Sequence, residues 1–476
     1  MNAFVLAARN LRRNGRRSLI TLLALVIGTM AILLLGGYAR DITFGLQTIY
    51  VQHTGHLQLV KAGYNDFGRG NPAAYGISRS DDILQLLRDD PVLAPMLTVA
   101  TPMLQFGGIG ANAGHATSIP VAVQGVVAKD LGRLLEWNSY DVPIPASPNG
   151  LDNTAPDAAL IGMGVARILQ MCDALGVAGC PEPPPVERDD SAADTPDELA
   201  ALSAGDAAQD TTHDAAMAPG ASASASSAAQ LDVLTASTGS APNIARLGVA
   251  RAVKQGMQAA DDSFVGMHLA QAQKLVFGQG DPKVTTLVMQ FQHTAQIDAA
   301  RERLEQLLAG PLRDAGLEIR DVFELNPPYR QTIDMVVALF VFVATLMAVI
   351  VLFTVSNTMS MAIMERTVEI GTLRAIGIQR PGVLRMFVAE GGLLGMTGWV
   401  LGAILALGIA LLLERSGIPW SPPGMAIEIP VTARFWNAPE LVVLSSVGIV
   451  VLSMASAWLP SRRASRMNVV DALRHV

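Results

Sequence analysis

Four ionisable side chains crowd into the stretch "ERTVEIGTLRAIG", residues 365–377: Glu365, Arg366, Glu369 and Arg374. Arg366 and Glu369 stand at i, i+3, the spacing at which opposite charges pair along a short helix at an aqueous surface. Gly377 and Pro381 then end and redirect that helix. The set offers charge and hydrogen bonds but no His or Cys. Two readings are open: a plain polar hairpin, or a handle that another protein grips. The cysteines, Cys172 and Cys180, stand eight apart in "MCDALGVAGC". In an oxidising compartment they can bridge, and free thiols are an equal alternative; without a supporting His or Cys cluster they make a poor metal site. In "HTGH" an i, i+3 pair placed on a strand points to opposite faces, so His53 and His56 read as exposed polar side chains rather than ligands. The chain has no G-x-x-x-x-G-K-[ST], G-x-S-x-G, H-E-x-x-H or C-x-x-C; "GGIGANAG" lacks the lysine a phosphate loop needs. No enzymatic constellation can be assembled, and no cofactor or metal is expected on this chain.

The elements that must position these residues are apolar. Of 476 residues 50% are hydrophobic and 16% charged, against about 25% charged in ordinary soluble domains. Four segments, 18–38, 335–355, 388–413 and 441–459, have about the length a ~30 Å hydrocarbon layer requires. Eleven Leu, Ile and Val residues between Leu19 and Leu35 favour insertion of the first by roughly 3 to 6 kcal/mol. Its apolar run is too long for a cleaved leader, so it reads as an anchor. Arginines gather before the first span, between the second and third (358–386), and after the fourth (460–476), which puts both termini on the cytoplasmic side. Residues 1–17 alternate Phe4, Val5, Ala8 and Leu11 with arginines, as expected of a helix lying on the membrane surface with lipid as its partner. Gly391, Gly395, Gly398 and Gly402 repeat at small-x-x-x-small spacing; packing inside one chain and a dimer of two permeases are both compatible with this stripe. Glu390 is costly in lipid and must face the bundle or an interface.

Residues 41–330 then fall outside the cytoplasm, and 414–440 form a short loop on the same side. The large segment carries 33 acids and 18 bases, the remainder 8 and 16. The asymmetry follows topology and argues against a nucleic-acid partner. "GHLQLVKAGY" alternates like a strand, as do "TSIPVAVQGVV" and "TTLVMQFQ". Ile297, Ala300, Leu304, Leu307 and Leu308 form a helical stripe, and "LEIRDVFEL" returns as a strand. The expected fold is therefore a four-helix membrane protein with a large α+β domain inserted between helices one and two. Residues 181–245, rich in Ala, Ser, Asp and Pro, read as a flexible loop.

"ERTVEIGTLRAIGI" resembles the E-x-x-x-E-I-G-x-x-R-A-x-G signature of the FtsX-like permease superfamily of ABC transporters. "LAARNLRRNGRRSLITLLALVIGT" and "PSRRASRMNVVDALRHV" are similar to that family's two ends, and one large external domain followed by three spans is its layout. The resemblance implies that Glu365, Arg366, Glu369, Gly371, Arg374 and Gly377 form a coupling helix that docks on a separate cytoplasmic ATPase, which holds ATP and Mg²⁺. It further implies a bacterial inner-membrane location, a second permease of the same or a related sequence, and a periplasmic carrier or lipoprotein as partner. The separate permease, "GHLQLV" and "WSPPGM" look most like the lipoprotein-releasing branch. The alternatives are MacB-like export of amphiphiles with a periplasmic adaptor, and an FtsX-like scaffold that activates a cell-wall hydrolase.

Overall fold

The computed structural model describes residues 15–68, 71–115, 117–145, 149–180, 229–236, 242–422 and 424–467. Residues 1–14, 181–228 and 468–476, which hold most of the expected surface helix, part of the expected loop and the end of the chain, lie outside the described residues.

Four long helices form the membrane part: α1 (Gly15–Thr54), α7 (Pro327–Glu365), α9 (Arg380–Ser416) and α10 (Pro439–Ser465). Each is long and apolar enough to cross a bilayer. At 1.5 Å per residue α1 runs about 60 Å, twice the hydrocarbon thickness. It continues 16 residues past the predicted span, through "ARDITFGLQTIYVQHT", and α7 begins eight residues before its predicted span. Both helices therefore rise unbroken into the lobe between them. Tyr50 and Tyr329 meet there at 4.8 Å between ring centroids.

The lobe is built on a nine-stranded sheet: β1 (Leu57–Lys61), β2 (Leu97–Asn112), β3 (Thr117–Val126), β4 (Ala158–Gly162), β5 (Gln230–Ala236), β6 (Pro242–Val253), β7 (Phe264–His268), β8 (Thr286–Phe291) and β9 (Leu317–Asp321). Helices α2 (Ser80–Asp89), α3 (Ala128–Leu135), α4 (Met163–Ile168), α5 (Leu269–Phe277) and α6 (Ile297–Ala309) pack around it. The 16-residue β2 serves two layers. Its first half pairs with β8, and its second half with β3 and β5. Strands β2-β3-β7-β4-β6-β5 thereby close on themselves, around a core that includes Leu104, Phe106, Val123, Leu231, Leu247 and Met267. Closure leaves no free edge in that ring.

The other layer is β2-β8-β1-β9. Here β1 is antiparallel to both β8 and β9, so the strand–helix–strand unit expected over 286–321 is split, with β1 inserted between its two strands. One face of this layer packs on α2 and α6 through Leu57, Leu59, Leu87, Leu287, Ala300 and Leu304. The opposite face packs on α3 and the ring through Val99, Met103, Val288, Leu134 and Leu160. Burial on both faces corrects the half-exposed reading of "GHLQLVKAGY", since residues 57–60 are all buried.

Two further expectations change. The flexible-loop assignment for 181–245 does not hold at its C-terminal end, where β5 and β6 form an antiparallel hairpin from Gln230↔Gly248 to Ala236↔Pro242. Leu231 and Val233 supply the inward face that the Ala/Ser composition masked. His56 is not exposed. It is fully buried, its Nδ1 accepts from the Phe291 amide at 3.0 Å and its Nε2 lies 3.3 Å from Thr294 Oγ1. Burial holds its pKa down to about 3, so the ring is neutral. His53 belongs to α1, not to a strand. Cys172 and Cys180 are joined as a disulfide, with Cα atoms 6.1 Å apart.

The loop between α9 and α10 carries a two-residue ladder, β10 (Pro419–Trp420) with β11 (Ile429–Pro430). It docks on the lobe through Gln258 N–H to Gly424 O, 2.9 Å, and Ala426 N–H to Gly256 O, 3.2 Å. Ile427 and Ile429 bury against Ile49 of α1.

Candidate functional site

The charged stretch lies where α7 breaks. Arg366 leaves the helical region, and a separate helix α8 (Thr367–Ala375) follows at an angle before Gly377, whose φ of 105° turns the chain toward α9. Only glycine adopts that conformation without strain. The α8 helix is two-faced. Thr367, Ile370 and Gly371 are buried, and Ile370 joins Ile363, Val383, Phe387 and Ala464 in a small core at the base of the bundle. Glu365, Val368, Glu369, Thr372 and Ile376 face outward.

The six residues expected to form one contact surface therefore divide. Glu365, Glu369 and Gly377 are exposed, and Arg374 is partly so. Arg366 and Gly371 point inward and are corrected: neither is placed to touch a docked protein. Arg366 is 6% exposed and Glu390 4%, and the guanidinium Nη1 stands 3.3 Å and 3.4 Å from the two carboxylate oxygens. This ion pair straps the α7–α8 junction to α9. It also answers how a carboxylate is tolerated early in α9: it faces the bundle and meets an opposite charge. Arg374 donates to the carbonyl of Met467 just past α10. The small helix is thus tied to all three neighbouring helices.

The glycine stripe is consumed inside the chain, which removes the dimer reading from it. A Cβ at Gly391 would stand 2.7 Å from Ala457 Cβ, and Gly395 lies against Ser453 and Val450, all of α10. A Cβ at Gly398 would meet Leu25 Cβ at 2.5 Å, and one at Gly402 would meet Thr29 Cβ at 2.6 Å, both of α1. Ser453 Oγ donates to the Gly391 carbonyl at 2.9 Å. No second permease can use this stripe without unpacking the bundle.

At the far end of the bundle a second buried charge cluster joins α1 to the α9–α10 loop and the lobe. Asp41 Oδ2 accepts from Thr432 Oγ1 at 2.7 Å and from the Arg434 amide at 3.0 Å. Arg434 Nη1 donates to the carbonyl of Asp141 in the lobe at 2.8 Å. Sequence reasoning did not single out Asp41 or Arg434. Nothing local to either residue signals a partner 393 positions away.

Among the described residues no group of His, Cys, Asp and Glu is arranged to hold a metal. Residues 341–469, covering most of α7 and all of α8, α9 and α10, match the FtsX-like permease C-terminal family. The chain carries an FtsX-like permease domain. The permease domain thus includes α8 and its straps, while the β-rich lobe lies outside the match. The chain is similar to an uncharacterized ABC transporter permease of Methanocaldococcus jannaschii, 23% identical over 215 residues, 45% of this chain and 51% of that one. It is similar to the macrolide export ATP-binding/permease protein MacB of Rhodopirellula baltica, 29% identical over 196 residues, 40% of this chain and 27% of the relative. The lipoprotein-releasing system transmembrane protein LolC of Neisseria meningitidis is 23% identical over 244 residues, 50% of this chain and 57% of its own length. The chain spans about half or less of the length of most of these relatives. Four helices long enough to cross a bilayer and a permease-domain match over residues 341–469 make this a membrane protein with an FtsX-like permease domain.

Proposed function

We propose that this chain is the membrane subunit of an ABC transporter whose ATPase is a separate cytoplasmic protein, and that it transmits ATP-driven motion to an extracytoplasmic lobe. The observation that carries the reading is α8, a short helix with an acidic and apolar outer face and an inner face strapped to α7, α9 and α10. A handle must be rigid toward its own protein and open toward its driver. On this reading ATP and Mg²⁺ bind to the partner, both termini are cytoplasmic, and residues 57–321 lie in the periplasm beyond the inner membrane. The positive-inside asymmetry of the arginines supports this orientation. The lobe receives the stroke because α1 and α7 enter it without a break.

The reaction we favour is release of lipoproteins from the inner membrane toward a periplasmic carrier. Its support is the similarity to LolC over half the chain. Export of amphiphilic molecules is the second reading, favoured by the MacB similarity at comparable identity. The coupling step is tested with Glu369→Lys. The variant inserts and folds normally, because Glu369 is exposed, but it no longer co-purifies the ATPase. Full retention of the ATPase would refute the docking assignment. Depletion of the chain then separates the cargoes: lipoproteins accumulate in the inner membrane under the first reading, and sensitivity to an amphiphilic drug rises under the second.

A further inference from the structure

Where the end of α1 meets the lobe, the walls form an open-mouthed cavity of about 260 Å³. Carboxamides reach it from separate elements: Gln58 of β1, Gln105 of β2, Gln124 of β3, Gln255 after β6 and Asn326 before α7. Among the described residues no Asp, Glu, Lys or Arg lines it, although the surrounding segment is rich in acids. His53 closes one side. Its Nδ1 lies 2.8 Å from the Ile49 carbonyl. A carbonyl only accepts, so Nδ1 carries the proton and Nε2 remains an acceptor.

Behind this chamber lies a smaller one of about 40 Å³, and His53, Gln124, Gln255 and Phe264 border both. Its back wall is apolar: Val126, Leu131, Leu135, Leu160 and Val253. Lys254, at its rim, is exposed. The recess has room for about three waters but few polar groups to hold them, and a branched aliphatic side chain is the better occupant. Gln58, Gln105 and Asn326 each already donate one N–H, to the Thr54 carbonyl, Met103 Sδ and the Val322 carbonyl, which leaves each a second N–H and its oxygen, the complement that a peptide unit presents. A cation would have to shed its hydration without a counter-charge here, and the one charge at the recess among the described residues, Lys254, is exposed and solvated. A sugar would leave the apolar recess unfilled.

We propose that this two-part cavity binds a neutral, extended peptide segment, with the main chain held by the carboxamides and one aliphatic side chain seated in the recess. The site is independent of what drives the permease, and it lies on the junction between the α1 stalk and both layers of the lobe.

The test uses the full chain in detergent and a capped tripeptide, acetyl-Ala-X-Ala-amide, in which X is the diazirine analogue of leucine. Photolabelling is expected to saturate and to map to segments bearing Leu131, Leu160 or Phe264. Gln124→Glu places an unneutralised charge in the mouth and is expected to lower labelling at sub-saturating probe about tenfold. Leu131→Trp fills the recess and is expected to remove the advantage of the leucine analogue over acetyl-Ala-Gly-Ala-amide as competitor. Both positions are only partly buried, and unchanged thermal unfolding of each variant confirms that it has folded. Non-saturating labelling, labelling that maps elsewhere, equal displacement by methyl glucoside, or indifference to both substitutions would overturn the proposal.

Discussion

Removing one partner of the Arg366–Glu390 pair should destabilise the bundle, whereas removing both should not. Each residue is at most 6% exposed, and the two stand 24 positions apart in sequence on separate helical segments. Stranding a buried charge in this way costs about 3 to 5 kcal/mol. The two contacts of 3.3 Å and 3.4 Å are longer than the roughly 2.7–2.9 Å of an optimal charge-assisted bond, so the lower figure applies. Arg366→Met and Glu390→Leu are each expected to lose about 3 kcal/mol, because each removes the opposite charge from a buried ion. The double variant replaces both charges with apolar groups of similar volume and is expected to fall within about 1 kcal/mol of the parent. The assay is equilibrium unfolding in mixed detergent micelles, followed by tryptophan fluorescence and read as a double-mutant cycle. A coupling of at least about 2 kcal/mol is expected. Single losses below about 0.5 kcal/mol, or a double loss equal to their sum, would show that the pair does not strap the α7–α8 junction to α9.

Three further outcomes follow from the packing and the titrations. Gly395→Leu drives a side chain into Ser453 and Val450 of α10 and should cost about 3 kcal/mol or more, while Gly448→Leu, with nothing within 4 Å of its added carbon, should change stability by less than about 0.5 kcal/mol; unfolding of the two variants under identical conditions makes the comparison. Paired Cys172→Ser and Cys180→Ser substitutions should cost the lobe about 2.5 kcal/mol, the loop-closure value for a ring of this size, measured by urea unfolding with and without reductant. His56 is neutral when folded because its pKa is held at about 3. Below about pH 6.5 the unfolded chain takes up a proton that the folded lobe refuses, so stability is full above that pH and declines by up to about 1.4 kcal/mol per unit toward pH 3. His56→Gln should flatten that decline in an unfolding series across about pH 7 to 4.

Much of this architecture can be read from the sequence because long-range order in it rests on strong local signals. The four spans announce themselves by sustained apolar runs, and β3, β8, α6 and β9 by alternation or a helical stripe. The sites where the reading failed share a cause. Beyond residue 38 polar side chains hide a helix that is held by long-range contacts such as Tyr50 on Tyr329 of α7. His56 looks like a surface residue until β8 supplies the Phe291 amide from 235 positions away. The division of the charged stretch was recoverable: Ile363, Thr367, Ile370 and Gly371 lie on one helical stripe, and Arg366 lies beside it. The family signature groups all six residues, whereas helical periodicity divides them between an inner and an outer face.

The two buried charge clusters explain why a bundle of apolar helices has one register. Lipid tails are as apolar as leucine, so burying leucine between helices selects no particular alignment. Alignment has to come from close contact and from polar links. The glycine stripe of α9 gives the first, fitting α10 with its lower half and α1 with its upper half. Arg366–Glu390 at one end and Asp41–Arg434 at the other give the second. Between them α7 is the least enclosed span, with 6% of its apolar window buried against 39% for α1, and Thr21 Oγ1 to Thr358 Oγ1 at 2.6 Å ties it to α1. Displacing α7 disrupts less packing than displacing any other span, and α7 is the helix that runs directly from the α8 handle into the lobe. Under the proposed function, a stroke applied at α8 would meet its lowest resistance along α7, which ends at the lobe.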